Sequence, residues 1–135
     1  MNENATSPDL DPSEFPDFWA GHVNQGRLDE LVALYRNDAV LTPTFSPDSA
    51  KGEADLRRYF DGLAAREGLR VDIHEGSVDC TPIDESRSVI TGTYDFNFEV
   101  DGALRAFPSR FTFVIDLAQE SPILHHHSSQ IPSSP

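Results

Sequence analysis

The pattern of apolar positions separates a helical first part of the chain from a strand-rich second part. In the first part, apolar residues recur every three or four positions, which is typical of helices that bury one face. This spacing predicts helices over residues 15–23, 27–36 and 53–67, and Ser13 is a possible N-cap of the first. A short strand over residues 39–42 is predicted between the second and third helices.

After the third predicted helix the period changes to two, which is typical of strands with one buried face. Strands are predicted over residues 69–80, 90–100 and 104–117, and Asp101-Gly102 joins the last two as a hairpin turn. The alternation changes parity near Glu75-Gly76, which indicates a bulge, because one extra residue moves the following side chains to the opposite face.

The order of predicted elements is helix, helix, strand, helix and then four antiparallel strands. This order predicts an α+β fold, in which three helices pack on one face of a strongly curved, mostly antiparallel sheet. A bent sheet that is half covered by helices leaves a cavity, which is the default position for a binding site. At 135 residues the chain is expected to form one domain over residues 13–135, after a disordered acidic leader over residues 1–12.

The charge of the chain narrows the classes of partner. Ten Lys and Arg residues against 23 Asp and Glu residues give a formal net charge of −13. This balance argues against binding to nucleic acid or to an anionic membrane surface, because a protein binds either of these through a positively charged surface. The sequence contains no apolar N-terminal run, so we expect a cytoplasmic protein. The single cysteine, Cys80, cannot form an internal disulfide, and its neighbours supply no activating cation.

Most of the proton chemistry available near neutral pH lies in His125-His126-His127-Ser128-Ser129. Ile123 and Leu124 precede this run and Pro132 follows it, which predicts a short last strand. Side chains alternate along a strand, so His125, His127 and Ser129 share one face and His126 and Ser128 share the other. The alternative is a remnant of an expression tag, although three histidines are few for that purpose.

The element order, together with a series of short motifs, resembles the nuclear transport factor 2-like superfamily. Within it, the resemblance is to the branch related to the association domain of calcium/calmodulin-dependent protein kinase II. The motifs cover nearly the whole chain beyond the leader, and they are Ala33-Leu34-Tyr35, Asp38-Ala39-Val40-Leu41, Pro43-Thr44-Phe45-Ser46, Tyr59-Phe60, Gly92-Thr93-Tyr94-Asp95-Phe96, Ser109-Arg110-Phe111-Thr112-Phe113-Val114 and His125-His126-His127-Ser128-Ser129. The last motif resembles the iota-class carbonic anhydrases of bacteria and algae. One departure is Ser121-Pro122, where relatives usually carry a tryptophan.

The resemblance implies a cone-shaped fold and four catalytic residues. It carries over Thr44, Tyr59 and Ser129 as a hydroxyl cluster that positions water and product, with His127 beside them to accept or relay a proton. It also implies that the face of His127 and Ser129 lines the pocket. From the residues alone, Thr44 could equally be a turn hydroxyl and Tyr59 a core residue on the apolar stripe of its helix.

Arg110 and His125 are the candidate substrate-binding residues. In the related association domains an arginine at the position of Arg110 binds small carboxylates, and a guanidinium has the planar fork that suits them. The strand pattern equally allows Arg110 to lie outside the pocket and pair with Asp95 or Glu99. His125 and His127 have a spacing that is also used by metal ligands, but the sequence supplies no third ligand. We therefore expect no metal and no cofactor.

The leading interpretation is reversible hydration of carbon dioxide to bicarbonate in a small, metal-free pocket. One alternative is a non-catalytic homo-oligomerisation domain, a homodimer or larger, with a small-carboxylate site; Thr91, Thr93 and Val114 are candidates for its contact face. A second is an isomerase or cyclase acting on an apolar ligand, which needs a carboxylate in the cone, and Asp95 is the candidate. A small hydroxyl-lined pocket favours carbon dioxide hydration, and an occluded pocket favours oligomerisation. A deep apolar pocket with a carboxylate favours the isomerase or cyclase.

Overall fold

The computed structural model describes residues 10–132, and it confirms the predicted α+β architecture. Three helices pack on one face of a single seven-stranded sheet. The first nine residues of the predicted leader lie outside the described range, and residues 10 and 11 lead into a short 3-10 helix that begins at Pro12.

The helices lie close to their predicted positions, with one correction. After the 3-10 helix Pro12–Glu14 come α1 (Phe15–Asn24), α2 (Leu28–Ala33) and α3 (Gly52–Ala64). The prediction that the second helix runs to residue 36 is wrong, because the chain is already extended at Tyr35.

Ser13 does not cap α1. The Asp11 carboxylate instead accepts a hydrogen bond from the Ser13 backbone N–H at 3.0 Å and so caps the 3-10 helix, while α1 follows without a side-chain cap.

The sheet contains seven strands, which are β1 (Tyr35–Thr42), β2 (Ala50–Lys51), β3 (Arg70–Ile73), β4 (Asp79–Pro82), β5 (Arg87–Val100), β6 (Ala103–Asp116) and β7 (Ile123–Gln130). Their order is β2-β1-β7-β6-β5-β3, and β4 also pairs with β5. All pairs are antiparallel except that of β1 with β7, which is parallel. The last strand therefore lies in the middle of the sheet, between β1 and β6.

The predicted bulge near residues 75–76 is a break between two strands. Both strands pair with β5: β3 lies opposite residues 94–97 of β5, and β4 lies opposite residues 88–91. The hairpin prediction is confirmed, since Asp101 and Gly102 have φ angles of 54° and 81° and join β5 to β6.

The core lies between the helices and the inner face of the sheet, and it is strongly aromatic. Its largest fully buried side chains include Phe15, Trp19, Phe60, Tyr94, Phe96, Phe98, Phe111 and Phe113. Within residues 10–132, none of the helices is long and apolar enough to cross a membrane. The cytoplasmic location stays a prediction.

Candidate functional site

A bulge in β7 decides which histidines face the core. Val114 of β6 pairs with His125, but its neighbour Ile115 pairs with Ile123, so Leu124 is an extra residue in the ladder. Ile123 is fully buried, and without the bulge the alternation would also bury His125, His127 and Ser129. The extra residue reverses the parity.

The inner face of β7 therefore carries His126 and Ser128, which are 1% and 3% exposed. His127 and Ser129 lie on the opposite face and are half-buried. The prediction that the face of His127 and Ser129 lines the interior of the cone is thus wrong.

The His126 ring is packed among the aromatic rings of Trp19 and Phe113 and two phenols. Its ring stacks on Phe113, with ring centroids 4.0 Å apart, and meets the edge of Trp19 at 5.1 Å. Its Nδ1 lies 2.8 Å from the Tyr35 hydroxyl, and its Nε2 lies 3.2 Å from the Tyr94 hydroxyl. Both ring nitrogens therefore have a partner inside the core.

Hydrogen bonds continue from His126 in both directions. On one side, the Trp19 indole N–H donates to the Tyr35 hydroxyl at 3.1 Å. On the other side, the Tyr94 hydroxyl donates to Ser128 Oγ at 2.7 Å, and Ser128 Oγ is hydrogen-bonded to Thr44 Oγ1. We call this chain the hydroxyl line: Trp19, Tyr35, His126, Tyr94, Ser128 and Thr44.

The groups that can only donate a hydrogen bond fix the direction of donation along the hydroxyl line. An indole nitrogen only donates, so the Tyr35 oxygen accepts from Trp19, and the Tyr35 O–H donates to His126 Nδ1. In a neutral imidazole the proton is then on Nε2, which donates to Tyr94. The opposite direction would leave the buried Tyr35 O–H without an acceptor, which costs about 1–3 kcal/mol.

Beyond Tyr94 the same direction continues to the edge of the core. Because Tyr94 donates to Ser128, the Ser128 O–H donates to Thr44, which is half-buried. The Thr44 O–H is thereby directed at a group outside the line. The arrangement presents a hydroxyl donor to an oxygen atom of a ligand, backed by donors that all point the same way.

Every ionisable group of the line is neutral near pH 7. Burial lowers the pKa of His126 well below its ordinary range, and the adjacent His125 and His127 lower it further. Burial raises the pKa of both Tyr35 and Tyr94, and the hydrogen bonds from Trp19 and with Ser128 oppose this only in part. A histidine with so low a pKa is a weak base, so the line is better suited to donating hydrogen bonds than to accepting a proton.

We expect the protein to lose stability as the pH falls below about 6.5, the ordinary pKa of histidine. The unfolded chain binds a proton at His126 in this range while the folded chain does not, so the slope reaches about 1.4 kcal/mol per pH unit for this residue. Urea unfolding at three pH values between 7.5 and 5.5, in the wild type and in His126→Phe, measures it. Equal slopes in the two proteins would contradict the assignment.

A small cavity lies beside the hydroxyl line in the interior of the cone. Its volume is about 10 Å³, which is room for about one water molecule. It is lined by Trp19, Leu41, Pro43, Tyr59, Phe60, Leu63, Tyr94, Phe96, His126 and Ser128. The lining thus combines aromatic rings with two phenols, one hydroxyl and an imidazole, and it contains no carboxylate.

Of the predicted catalytic residues, Tyr59 lines this cavity, and Thr44 is connected to the lining only through Ser128. Thr44 follows Pro43 just after β1, where the chain leaves the sheet, and it reaches Ser128. Tyr59 projects from α3 into the cavity lining. Burial raises the pKa of Tyr59 to about 12, against a hydrogen bond with the Phe45 backbone and the positive charge of Arg66.

The remaining predicted site residues lie on the outer face of the sheet. His127 is in register with Thr112, and Ser129 with Arg110, which is exposed. The pattern had left the position of Arg110 open, and the structure places it outside the cone. His125 is likewise on the outer face, in register with Val114.

Asp95, the candidate carboxylate for an isomerase, also lies on the outer face. Its Oδ1 is 3.0 Å from His74 Nε2, and His74 Nδ1 is 2.6 Å from Thr93 Oγ1. Asp95 is therefore not in the cavity lining. Among residues 10–132, no group of three or more His, Cys, Asp or Glu side chains is placed to hold a metal ion.

Sequence reasoning missed Trp19, Tyr35 and Tyr94, and it assigned His126 and Ser128 to the wrong face. Trp19 and Tyr35 fall within the predicted helices 15–23 and 27–36, where aromatic residues on the apolar stripe are usual. The available signal was chemical, because a buried Tyr or Trp needs a partner for its polar atom. The presence of several such residues predicts a shared hydrogen-bond network in the core, but it does not predict which residues bond to each other.

The sequence matches the family model of the SnoaL-like domain over residues 16–122. The chain belongs to the SnoaL-like domain family. The match ends just before β7, so the three histidines and two serines lie outside it. No curated protein matches the sequence at a significant level.

Solved structures share the fold over most of the chain. A Xanthomonas campestris protein assigned as a calcium/calmodulin-dependent protein kinase II association domain has a TM-score of 0.79 and 24% identity, over 90% of this chain and 86% of that chain. A nuclear transport factor 2-like protein with a cystatin-like fold from Novosphingobium aromaticivorans has a TM-score of 0.71 and 15% identity, over 90% and 80%.

A ketosteroid isomerase-like protein from Erwinia carotovora atroseptica has a TM-score of 0.68 and 11% identity, over 98% of this chain and all 100% of that chain. The predicted nuclear transport factor 2-like fold, with its likeness to the association-domain branch, is therefore confirmed. A relation to iota-class carbonic anhydrases is not part of these findings.

Proposed function

We propose that the protein interconverts carbon dioxide and bicarbonate in the interior of the cone, by a mechanism that uses hydroxyl groups. The observation that carries this proposal is the size and lining of the interior cavity. The cavity of about 10 Å³ beside Tyr59, Tyr94, His126 and Ser128 has room for about one water molecule. Carbon dioxide would meet that water at the edge of the cavity, where Ser128 is hydrogen-bonded to Thr44. Hydroxyl groups are poor ligands for zinc, so the lining favours direct hydrogen-bond chemistry over metal chemistry.

The reaction follows from the direction of the hydroxyl line. A water oxygen attacks the carbon of carbon dioxide, and one water proton passes to Thr44 Oγ1 while the Thr44 hydroxyl proton passes to a carbon dioxide oxygen. The product is carbonic acid, which ionises to bicarbonate in solvent, and Thr44 is regenerated. Ser128 and Tyr94, which donate toward Thr44, stabilise the charge that develops on the substrate oxygen.

In this proposal Tyr59 keeps its expected role of positioning water, while Thr44, which was expected to position water and product, also relays the proton. Ser128 takes the role expected for Ser129. His126 replaces His127, but as the group that orients Tyr94 and not as the base, because its pKa is too low. Without zinc hydroxide as the nucleophile, turnover is expected to be modest.

Stopped-flow measurement of carbon dioxide hydration with a pH indicator tests the proposal. We expect a rate above the uncatalysed reaction that is unchanged after chelator treatment, with far less than one transition metal per chain by elemental analysis. Activity that is lost on chelation, with about one zinc or manganese per chain, would contradict the hydroxyl mechanism. A rate equal to that of the buffer would contradict the function itself.

We also propose homo-association through the outer face of the sheet. The helices cover the other face. Two rows of small or β-branched residues and histidines cross the outer face. One row is Val40, His125, Val114 and Val89, and the other is Thr42, His127, Thr112 and Thr91. These residues include the predicted contact candidates Thr91 and Val114. The Xanthomonas campestris protein, assigned as an association domain, supports this proposal by its similarity.

We expect the wild type to be a dimer or larger oligomer and Val114→Glu to shift it toward the monomer. A charge at Val114 would have to be buried without a partner in the contact between two copies, which is strongly unfavourable. Light scattering after size exclusion measures the mass, with Gln119→Glu in the exposed turn as the control for added charge. A monomeric wild type at micromolar concentration would contradict association.

A further inference from the structure

Three cavities meet at one side chain of α3. The interior cavity of about 10 Å³ is bounded by Tyr59, and two larger clefts open on its other sides, with volumes of about 350 and 200 Å³. Among residues 10–132, Tyr59 is the only one in the lining of all three. Tyr59 therefore lies between the interior and the surface, with Pro43 beside it toward the larger cleft and Leu63 toward the smaller.

The smaller of the two clefts is positively charged. Its lining is Phe45, Arg58, Tyr59, Gly62, Leu63 and Arg66, and we call it the arginine cleft. Two guanidinium groups at one cleft contrast with the net charge of −13 for the whole chain. An anion is thus repelled by most of the surface and attracted at this position.

The two arginines differ in their partners. Arg58 is engaged by Asp55, with Nη1 and Oδ1 3.2 Å apart. The Arg66 guanidinium lies over the Phe98 ring, 4.7 Å from its centroid, and across residues 10–132 no carboxylate lies at ion-pair distance from it. Stacking on Phe98 fixes the guanidinium and leaves its N–H groups for a ligand.

The chemistry of the cleft defines the ligand. A planar guanidinium fork matches the two oxygens of a carboxylate, and the Tyr59 phenol lies in the same lining. Phe45 and Leu63 supply an apolar wall for a short carbon chain. A volume of about 200 Å³ limits the ligand to a small molecule.

We propose that the arginine cleft binds small carboxylate anions, bicarbonate among them, with Arg66 as the principal contact. Its place in the reaction rests on the proposed function, since carbonic acid that leaves the interior would ionise to bicarbonate in this open cleft. The binding itself requires no turnover. The cleft is distinct from Arg110, which lies on the outer face of the sheet.

Nuclear magnetic resonance titration of the ¹⁵N-labelled protein tests the cleft. Sodium acetate and sodium bicarbonate are the probes, with sodium chloride as the control for ionic strength. We expect saturable shifts of the Phe45, Tyr59 and Gly62 amide signals, and a dissociation constant about tenfold or more higher in Arg66→Gln. Arg66→Lys keeps the charge but loses the fork, so it is expected to bind with intermediate affinity.

Arg110→Gln is the matched control, because it makes the same change at an exposed arginine outside the cone. Its dissociation constant is expected to equal that of the wild type. The proposal is overturned by shifts that do not saturate, by unchanged binding in Arg66→Gln, or by a loss that follows Arg110→Gln instead.

The two proposals fail in distinguishable ways. Saturable binding in a protein that does not hydrate carbon dioxide would refute the proposed function and leave the arginine cleft as a carboxylate site. Carbon dioxide hydration in a protein without saturable shifts would refute the arginine cleft alone.

Discussion

Replacing His126 by alanine is expected to destabilise the fold by about 3–5 kcal/mol, the range for loss of a large buried ring. The substitution removes a ring that stacks on Phe113 at 4.0 Å and contacts Trp19 at 5.1 Å. It also takes one hydrogen-bond partner from each of two buried phenols, Tyr35 and Tyr94. The unpaired phenols add to the cost of the empty space.

Urea unfolding, followed by the fluorescence of the only tryptophan, Trp19, measures the loss. His127→Ala is the control, since it makes the same change one residue along the strand on the opposite face. It is expected to cost less than about 1 kcal/mol. Equal losses in the two variants, or a loss below about 1 kcal/mol for His126→Ala, would show that His126 is not a central member of the core.

The local parts of this fold are predictable because their causes are local. The helical period, the alternation of β5 and β6 and the Asp101-Gly102 turn each depend on residues close together in the chain. The parallel pairing of β1 with β7 joins distant segments, and β2 has only two residues. Nothing in the local pattern specifies either.

The orientation of β7 shows how one residue changes a functional assignment. Alternation within His125-His126-His127 is local, but the face that turns inward is set by the extra residue Leu124 in the pairing with β6. The run Ile123-Leu124 is apolar throughout, so it gives no parity signal of its own. The sequence therefore predicted the correct motif on the wrong face of the sheet.

The hydroxyl line shows a second limit of sequence reasoning. Thr44 and Tyr59 could be named because they fall in matching motifs. The contact between Tyr35 and His126 spans 91 residues of sequence. Trp19, which gives the line its direction, is one of several aromatic residues on α1 with the same apolar pattern.

Replacing Ser128 by alanine is expected to lower the rate of carbon dioxide hydration by about 10²-fold, the usual effect of removing one hydrogen-bond donor to developing charge. Ser128 joins Tyr94 to Thr44, so its loss separates the reacting hydroxyl from the aligned donors behind it. The fold is expected to remain, because Tyr94 keeps its contact with His126.

Ser129→Ala is the matched variant, because it makes the identical change at the next residue, on the outer face. It is expected to retain the wild-type rate.

The hydroxyl mechanism is tested by the stopped-flow rates of chelator-treated wild type, Ser128→Ala and Ser129→Ala, compared at equal folded concentration. We expect a loss of rate in Ser128→Ala alone. A loss in Ser129→Ala with normal activity in Ser128→Ala would contradict it and would assign the chemistry to the outer face of the sheet.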